Sequence, residues 1–111
     1  MENVEIPLVE LQLLVLSFLP KQRCTLANIA RSLGYNPRTL QRHLLASGIV
    51  FEEYLDSIRR VQAENLLSHT DLDFDRISYL LGYCRKTSFY RAHKRWFGIS
   101  PLEHRSFLCN S

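Results

Sequence analysis

Residues 33–44 read LGYNPRTLQRHL, a stretch that ends one helix, turns, and starts another within a few positions. Gly34 stands where a helix favours a left-handed residue after its last turn. Asn36 is a favoured N-cap, and Pro37 suits the first helical position because its missing N–H would be unsatisfied there anyway. Two short helices joined so tightly cannot lie antiparallel, so the stretch predicts a helix-turn-helix.

The same pattern returns at residues 80–93, which read LLGYCRKTSFYRAH. Ile29, Leu33, Gly34 and Tyr35 align with Ile77, Leu81, Gly82 and Tyr83 at an offset of 48, and after the turn the offset becomes 49. The one-residue slip falls in the turn, where an insertion costs little. Because a solenoid needs three or more repeats, we interpret the two copies as a duplicated module.

Helical periodicity dominates the rest of the chain, and no window shows sustained strand alternation. A first helix is predicted from about Leu8 to Phe18. A longer one is predicted from Phe51 to Leu67, a rigid spacer of ~25 Å rather than a flexible linker. Its buried stripe is predicted to contain Phe51, Tyr54, Leu55, Ile58 and Leu66. Further start signals are the N-caps Thr25 and Asp73 and the capping box Ser100-Pro101-Leu102-Glu103.

The charge is unevenly distributed, although the net charge is only +3. Residues 1–20 contain three acids and no base. Residues 76–111 contain seven bases and the single acid Glu103. A basic half without a block of consecutive like charges suggests a folded surface that faces a polyanion.

Several classes of protein are disfavoured by what the sequence lacks. The 3 cysteines are odd in number and form no Cys-x-x-Cys, so we expect free thiols, no metal site and a cytoplasmic location. No apolar run is long enough to span a membrane, and no signal peptide is apparent. The 4 histidines are scattered and no glycine-rich phosphate loop occurs, so we expect no enzyme, no catalytic residue and no cofactor.

Each helix after a Gly-Tyr turn has an apolar side and a polar side. Leu40 and Leu44 face inward in the first copy, and four residues do so in the second: Phe89, Ala92, His93 and Trp96. The outward residues are Arg38, Gln41 and Arg42 in the first copy and Lys86, Thr87, Tyr90, Arg91 and Lys94 in the second. A single polar helix face of this kind is usually just exposed to solvent. Because both copies carry the same arrangement, we interpret the two faces as surfaces that recognise bases in the DNA major groove.

Residues 77–105, ISYLLGYCRKTSFYRAHKRWFGISPLEHR, resemble the signature region of the AraC/XylS family of transcriptional regulators. The matching positions are Ile77, Gly82, Ser88, Phe89, Arg91, Lys94, Arg95, Gly98, Ser100, Pro101 and Arg105. The first copy and the following FEEYLDSIRRVQAENLL also resemble the family, so the likeness covers about residues 8–107.

The resemblance implies an all-α, homeodomain-like fold of about seven helices within a single DNA-binding region, residues 1–111. It implies a first helix-turn-helix subdomain at 8–48, a linker helix at 51–67 and a second subdomain at 73–108. The base-contacting residues that it implies are Arg38, Gln41, Arg42, Lys86, Thr87, Tyr90 and Arg91, and those near phosphates are Arg85, Lys94 and Arg95. Successive major grooves of double-stranded DNA would receive the two helices.

The function that follows is sequence-specific regulation of transcription, including activation, at a non-palindromic promoter site, with RNA polymerase as a protein partner. We expect the C-terminal DNA-binding domain of a larger effector-responsive bacterial regulator, monomeric in isolation. A stand-alone two-motif regulator and a helical protein-interaction module are the alternatives. The target promoter, the effector and the choice between activation and repression are not specified by the sequence.

Three positions depart from the family pattern, namely Ser78 for the usual Ala, His93 for Phe and His104 for Tyr. We expect His93 to be a neutral, hydrogen-bonded core histidine. Cys84 occupies the position where an N-cap of the second recognition helix is expected, although cysteine caps poorly. Any strain in the fold is therefore expected at Cys84 or His93.

Overall fold

The computed structural model describes residues 8–109, which form seven α-helices, one short 3-10 helix and no strand. The helices are α1 (Leu8–Phe18), α2 (Leu26–Leu33), α3 (Pro37–Ala46), α4 (Phe51–His69), α5 (Phe74–Leu80), α6 (Lys86–Phe97) and α7 (Pro101–Cys109), with the 3-10 helix at Leu19–Lys21. The predicted all-α fold is confirmed, and α4 runs two residues beyond the predicted Leu67.

Four helices begin at the polar side chains that the sequence singled out as caps. The distances from the capping oxygen to the backbone nitrogen are 3.1 Å for Thr25 to Asn28, 2.9 Å for Asn36 to Arg38, 2.8 Å for Asp73 to Arg76 and 3.2 Å for Ser100 to Glu103. Each such cap is worth about 1 kcal/mol. These bonds set the starts of α2, α3, α5 and α7.

The start of α6 corrects the prediction for Cys84. Arg85 is the N-cap, with extended backbone and no side-chain cap, because α6 begins only at Lys86. The N-cap of α3, Asn36, directly follows Tyr35, whereas one residue, Cys84, separates Tyr83 from the N-cap of α6, so Cys84 is moved out of the cap position. The Arg85 carbonyl instead accepts a hydrogen bond from the buried Ser78 hydroxyl at 3.2 Å.

Two hydrophobic cores lie one on each half of the chain, and α4 contributes to both. The first contains Leu11, Val15, Leu19, Ile29, Ala30, Leu40, Leu44, Phe51, Leu55 and Ile58, and the second contains Ala63, Leu67, Ile77, Leu81 and Phe89. The molecule is elongated, with extents of 54 × 23 × 21 Å. The two cores are consistent with subdomains at 8–48 and 73–108, and those boundaries stay a prediction.

The buried side of α4 differs in its second half from the predicted stripe. Phe51, Leu55 and Ile58 are buried as expected, but Ala63 and Leu67 continue the stripe where Leu66 was expected. Leu66 is only partly buried. A small residue such as alanine carries little hydrophobic signal, so sequence reasoning passed over Ala63.

Strain lies elsewhere than at Cys84 and His93. Among the described residues, Gln22 is the non-glycine residue with a positive φ, at 55°. The buried His43 Nδ1 is the side-chain polar atom that lacks a hydrogen-bond partner there. Both residues belong to the first half of the chain, so the expectation was wrong.

Candidate nucleic-acid interface

The first candidate surface is the outward side of α3. Leu40 and Leu44 are buried in the first core and define the inner side of this helix. Successive residues advance by 100°, so Arg38, Gln41 and Arg42 emerge on the opposite side, where all three are exposed. Their polar ends make no hydrogen bond or ion pair within residues 8–109. The side presents two guanidinium groups and one amide with all of their donors available.

Leu45 lies on the same side of α3, one turn beyond Gln41. It is 52% exposed, which is high for a leucine in a helix whose other leucines, Leu40 and Leu44, are buried. At the offset of 49 between the copies, its counterpart in α6 is the basic residue Lys94. The two outward surfaces therefore share one arginine position, Arg42 and Arg91, and differ in chemistry one turn further on.

The second candidate surface is the outward side of α6. Phe89, Ala92 and His93 are buried against the second core. Thr87, Arg91 and Lys94 are exposed on the opposite side, and their polar ends make no contact of these kinds in the described part of the chain. This repeats the arrangement of α3.

Lys86 and Tyr90 lie on the flank of that surface and already have partners. The Lys86 ammonium is 3.3 Å from Asp75, an exposed pair that contributes little to stability. The Tyr90 ring packs edge-on against Phe74, with ring centroids 6.2 Å apart. The Lys86 ammonium is engaged by Asp75, whereas the contact of Tyr90 with Phe74 involves only its ring. The base-contact prediction for both residues stands untested.

Arg95, predicted to lie near phosphates, is bound to the linker helix. Its Nη1 and Nη2 donate to the two carboxylate oxygens of Asp56 at 3.0 and 2.8 Å, and Trp96 Nε1 donates to the same carboxylate at 3.0 Å. The bond from Arg95 holds the pKa of Asp56 below its ordinary range. The other two predicted phosphate ligands, Arg85 and Lys94, are exposed.

Arg105, a residue of the family signature, serves the fold. Its guanidinium donates to the Leu72 carbonyl at 2.7 Å and lies within 3.5 Å of three carbonyls at the end of α4, those of Leu66, Leu67 and Thr70. Because the last carbonyls of a helix have no partner within it, this arginine caps the linker helix. It is unlike Arg42 and Arg91, which have no such partners.

The two departures at His93 and His104 form a connected buried pair. His93 Nδ1 lies 2.8 Å from the Ile99 carbonyl oxygen, and His93 Nε2 lies 2.9 Å from His104 Nδ1. His104 Nε2 is 3.9 Å from a Glu64 carboxylate oxygen. Burial lowers the pKa of His93, the bond to Ile99 raises it, and the neighbouring His104 lowers it. His93 is thus buried and hydrogen-bonded, as predicted.

The thiols that the structure describes, Cys24 and Cys84, are free. Burial raises the pKa of the Cys24 thiol to about 11, which keeps it protonated and unreactive near neutral pH. The Cys109 side chain lies outside what the structure describes. No group of three His, Cys, Asp or Glu residues between 8 and 109 is placed to hold a metal ion.

Comparison with known proteins gives matches over most of the chain. A family described as "Helix-turn-helix domain" matches residues 29–106. The HTH-type transcriptional regulator VirS of Mycobacterium tuberculosis is 37% identical over 89 residues, which cover 80% of this chain and 26% of VirS. The C-terminal domain of AraT, a response regulator from Geobacillus stearothermophilus, superposes with a TM-score of 0.79 at 29% identity, covering 92% of this chain and 86% of that one.

A transcriptional regulator of Chromobacterium violaceum, described among AraC-type DNA-binding domain-containing proteins, has a TM-score of 0.74 at 25% identity, over 89% of this chain and 88% of that one.

The fold and its two outward surfaces define a protein with a duplicated helix-turn-helix. The chain belongs to the AraC-type family of helix-turn-helix transcriptional regulators. It spans about a quarter of the length of VirS. No helix within residues 8–109 has the length and apolar character to cross a bilayer.

Proposed function

We propose that this chain is a sequence-specific DNA-binding domain that places α3 and α6 in successive major grooves of a non-palindromic promoter site. The observation that carries the proposal is the repeated orientation of the two helices. Each buries its apolar side and leaves long hydrogen-bonding side chains uncommitted on the other. The molecule is 54 Å long, enough to reach two grooves ~34 Å apart.

The base-reading roles follow from donor and acceptor geometry. Arg38, Arg42 and Arg91 suit the O6 and N7 acceptors of guanine by bidentate hydrogen bonds, and Gln41 suits adenine. Thr87, Lys86 and Tyr90 complete the surface of α6. Each good bidentate pair discriminates by about 1–3 kcal/mol against a wrong base.

Phosphate binding supplies affinity without sequence information. Arg85 and Lys94 are exposed and suited to it. Both terminal nitrogens of Arg95 already donate a hydrogen bond to the Asp56 carboxylate. Only its remaining N–H groups are available to a DNA phosphate. We therefore assign Arg95 a smaller share of the phosphate contacts than Lys94.

The context that we propose is a larger regulator. The chain acts as the C-terminal DNA-binding domain of an effector-responsive protein, and RNA polymerase is its partner when it activates transcription. In isolation it is a monomer, which sedimentation analysis can test, and a chromosomal target places it in the cytoplasm. A two-motif regulator that acts without further domains is the alternative.

The experiment that tests DNA binding begins by selecting bound sites from random duplex DNA. Arg42→Ala, Lys94→Ala and the control Arg60→Ala, which alters the linker helix, are then measured on the selected site and on a scrambled duplex. Arg42→Ala should weaken the selected site alone by about 5- to 150-fold. Lys94→Ala should weaken both duplexes alike and reduce the salt slope by about 0.9. Equal losses on both duplexes for Arg42→Ala would contradict its assignment.

A protein-interaction module is the second candidate, favoured by an exposed apolar patch on α7. Leu102 and Phe107 are 66% and 68% exposed and line the same surface depression with Glu103 and Ser106. A chain that binds no duplex even at low salt would favour this role. The free donors of α3 and α6 would then remain without a purpose.

A further inference from the structure

The two recognition helices rest on separate cores, so their relative position depends on the contacts that join the halves. One joint is α4 itself, which is continuous through both cores. A second lies where the segment after α1 meets the turn between α5 and α6. We call this second joint the clamp, and it consists of Leu19, Gln22, Arg59, Gly82 and Tyr83.

Gly82 shows that the backbones of the halves approach closely at the clamp. A Cβ on this residue would lie 2.9 Å from the Leu19 carbonyl oxygen and 3.2 Å from Arg59 Nη2. Gly34, at the equivalent position of the first copy, has nearly the same φ, +80° against +88°, but nothing lies within 4 Å of its Cβ position. The positive φ of the turn therefore explains why both positions favour glycine. At Gly82 the close approach of Leu19 and Arg59 is a second reason, because it leaves no room for a Cβ.

Gln22 holds the clamp with its side chain. Its Nε2 donates to the Tyr83 carbonyl at 3.1 Å, and its Oε1 lies 3.6 Å from the Cys84 thiol. Its φ of 55° is a conformation that residues with a Cβ seldom adopt. Gln22 is exposed and its backbone geometry is unfavourable, so its contribution to the fold comes from its side chain. That side chain contacts Tyr83 and Cys84, which are 61 and 62 positions away in the sequence.

Arg59 completes the clamp from α4. Its Nε donates to the Leu81 carbonyl at 2.8 Å, and its guanidinium carbon lies 4.6 Å from the centroid of the Tyr83 ring. The turn that precedes α6 is therefore bound from two sides, by Gln22 of the first half and by the linker helix.

We propose that Gln22, Arg59 and Gly82 are positioning residues that fix the distance and rotation between α3 and α6, and with them the spacing of the two half-sites on DNA. This inference rests on the proposed DNA binding. One added base pair moves a half-site by about 3.4 Å and rotates it by about 34–36°. If α3 and α6 are held rigidly, they cannot adjust to the displaced half-site. If α4 alone joins them, bending of α4 allows both helices to reach their half-sites.

The first test uses the free protein, so that it does not depend on DNA. Residual dipolar couplings are measured for the amides of the two halves in wild type, Gln22→Gly, Gly82→Ala and Gly34→Ala. Gln22→Gly removes the side-chain bonds while relieving the backbone geometry, so it should fold. Gly34→Ala introduces the same backbone strain as Gly82→Ala but no clash. In wild type and Gly34→Ala, one alignment tensor should fit the couplings of both halves. In Gln22→Gly and Gly82→Ala, each half should require its own tensor.

The second test measures affinity for the selected site with its half-sites one base pair closer or farther apart. Wild type and Gly34→Ala should lose about 10-fold or more, since one well-made base contact is worth that much. Gln22→Gly should lose less than about 3-fold and should keep its base preferences. A single tensor in Gln22→Gly and Gly82→Ala, or a wild-type spacing penalty in Gln22→Gly, would overturn the proposal. Failure of the wild type to select any site refutes DNA binding instead, and the couplings still decide the clamp.

Discussion

The buried pair of His93 and His104 predicts a loss of stability as the pH falls below neutrality. The Ile99 carbonyl can only accept a hydrogen bond, so His93 Nδ1 carries the ring proton. His93 Nε2 is then an acceptor, and His104 Nδ1 donates to it. A second proton on His93 Nε2 would face that N–H, so the bond would persist only if His104 moved its proton from Nδ1 to Nε2. Burial disfavours the charged ring and lowers the pKa of His93, so the fold favours neutral His93.

The magnitude follows from proton linkage. An unfolded histidine has a pKa of about 6.5, and burial lowers the pKa of His93 in the folded protein. Below about pH 6.5 the unfolded chain therefore binds more protons than the folded one, and the free energy of unfolding falls with pH. If His93 stays neutral in the fold, stability at pH 5.5 is lower than at neutral pH by about 1.4 kcal/mol, the upper limit for one histidine.

Urea denaturation followed by circular dichroism at pH 7.5 and 5.5 measures this difference. The variants are His104→Tyr, which keeps His93 beside a hydroxyl, and His93→Phe/His104→Tyr, which carries the residue types usual in the family. Wild type and His104→Tyr should lose more stability than the double variant between the two pH values, by up to about 1.4 kcal/mol. The reasoning is refuted if the double variant loses as much as the wild type.

Three further variants test contacts at the end of α6 and the start of α5. Asp56→Ala leaves Arg95 and the Trp96 indole N–H without their acceptor and should lower the free energy of unfolding by about 1–3 kcal/mol, whereas Asp56→Asn retains an oxygen and should lose less. Equal stability of the two variants in thermal denaturation would argue against this role. Asp73→Ala removes the cap on Arg76 N–H and should cost about 1 kcal/mol, measured by urea denaturation; no change would mean that water replaces the cap.

The elements of this fold could be predicted from sequence because their boundaries are encoded locally. Thr25, Asn36, Asp73 and Ser100 each cap a residue two or three positions later, so the signal and its effect lie within one turn. Among the caps, the failure at Cys84 came from placing the cap directly after the Gly-Tyr pair, as in the first copy. The change of offset from 48 to 49 located an added residue in this turn but did not show which position would cap the next helix.

The orientation of the candidate surfaces could be predicted for the same local reason. Helical periodicity alone places Arg42 opposite Leu40 and Leu44. What could not be predicted is which basic residues are already engaged, since their partners are remote. Asp56 is 39 positions from Arg95, so the predicted phosphate role of Arg95 could not be weighed against its ion pair from sequence alone.

The differences between the two copies indicate what the halves do for each other. Features that both copies share, such as the positive φ of Gly34 and Gly82, are what one helix-turn-helix needs by itself. Only Gly82 also lacks room for a Cβ, and only the second turn is bound by Gln22 and Arg59. The α6 helix also starts without a side-chain cap, and its start is held instead through Ser78. Since local capping is weaker there and remote contacts are more numerous, the position of α6 depends on the rest of the molecule more than that of α3 does.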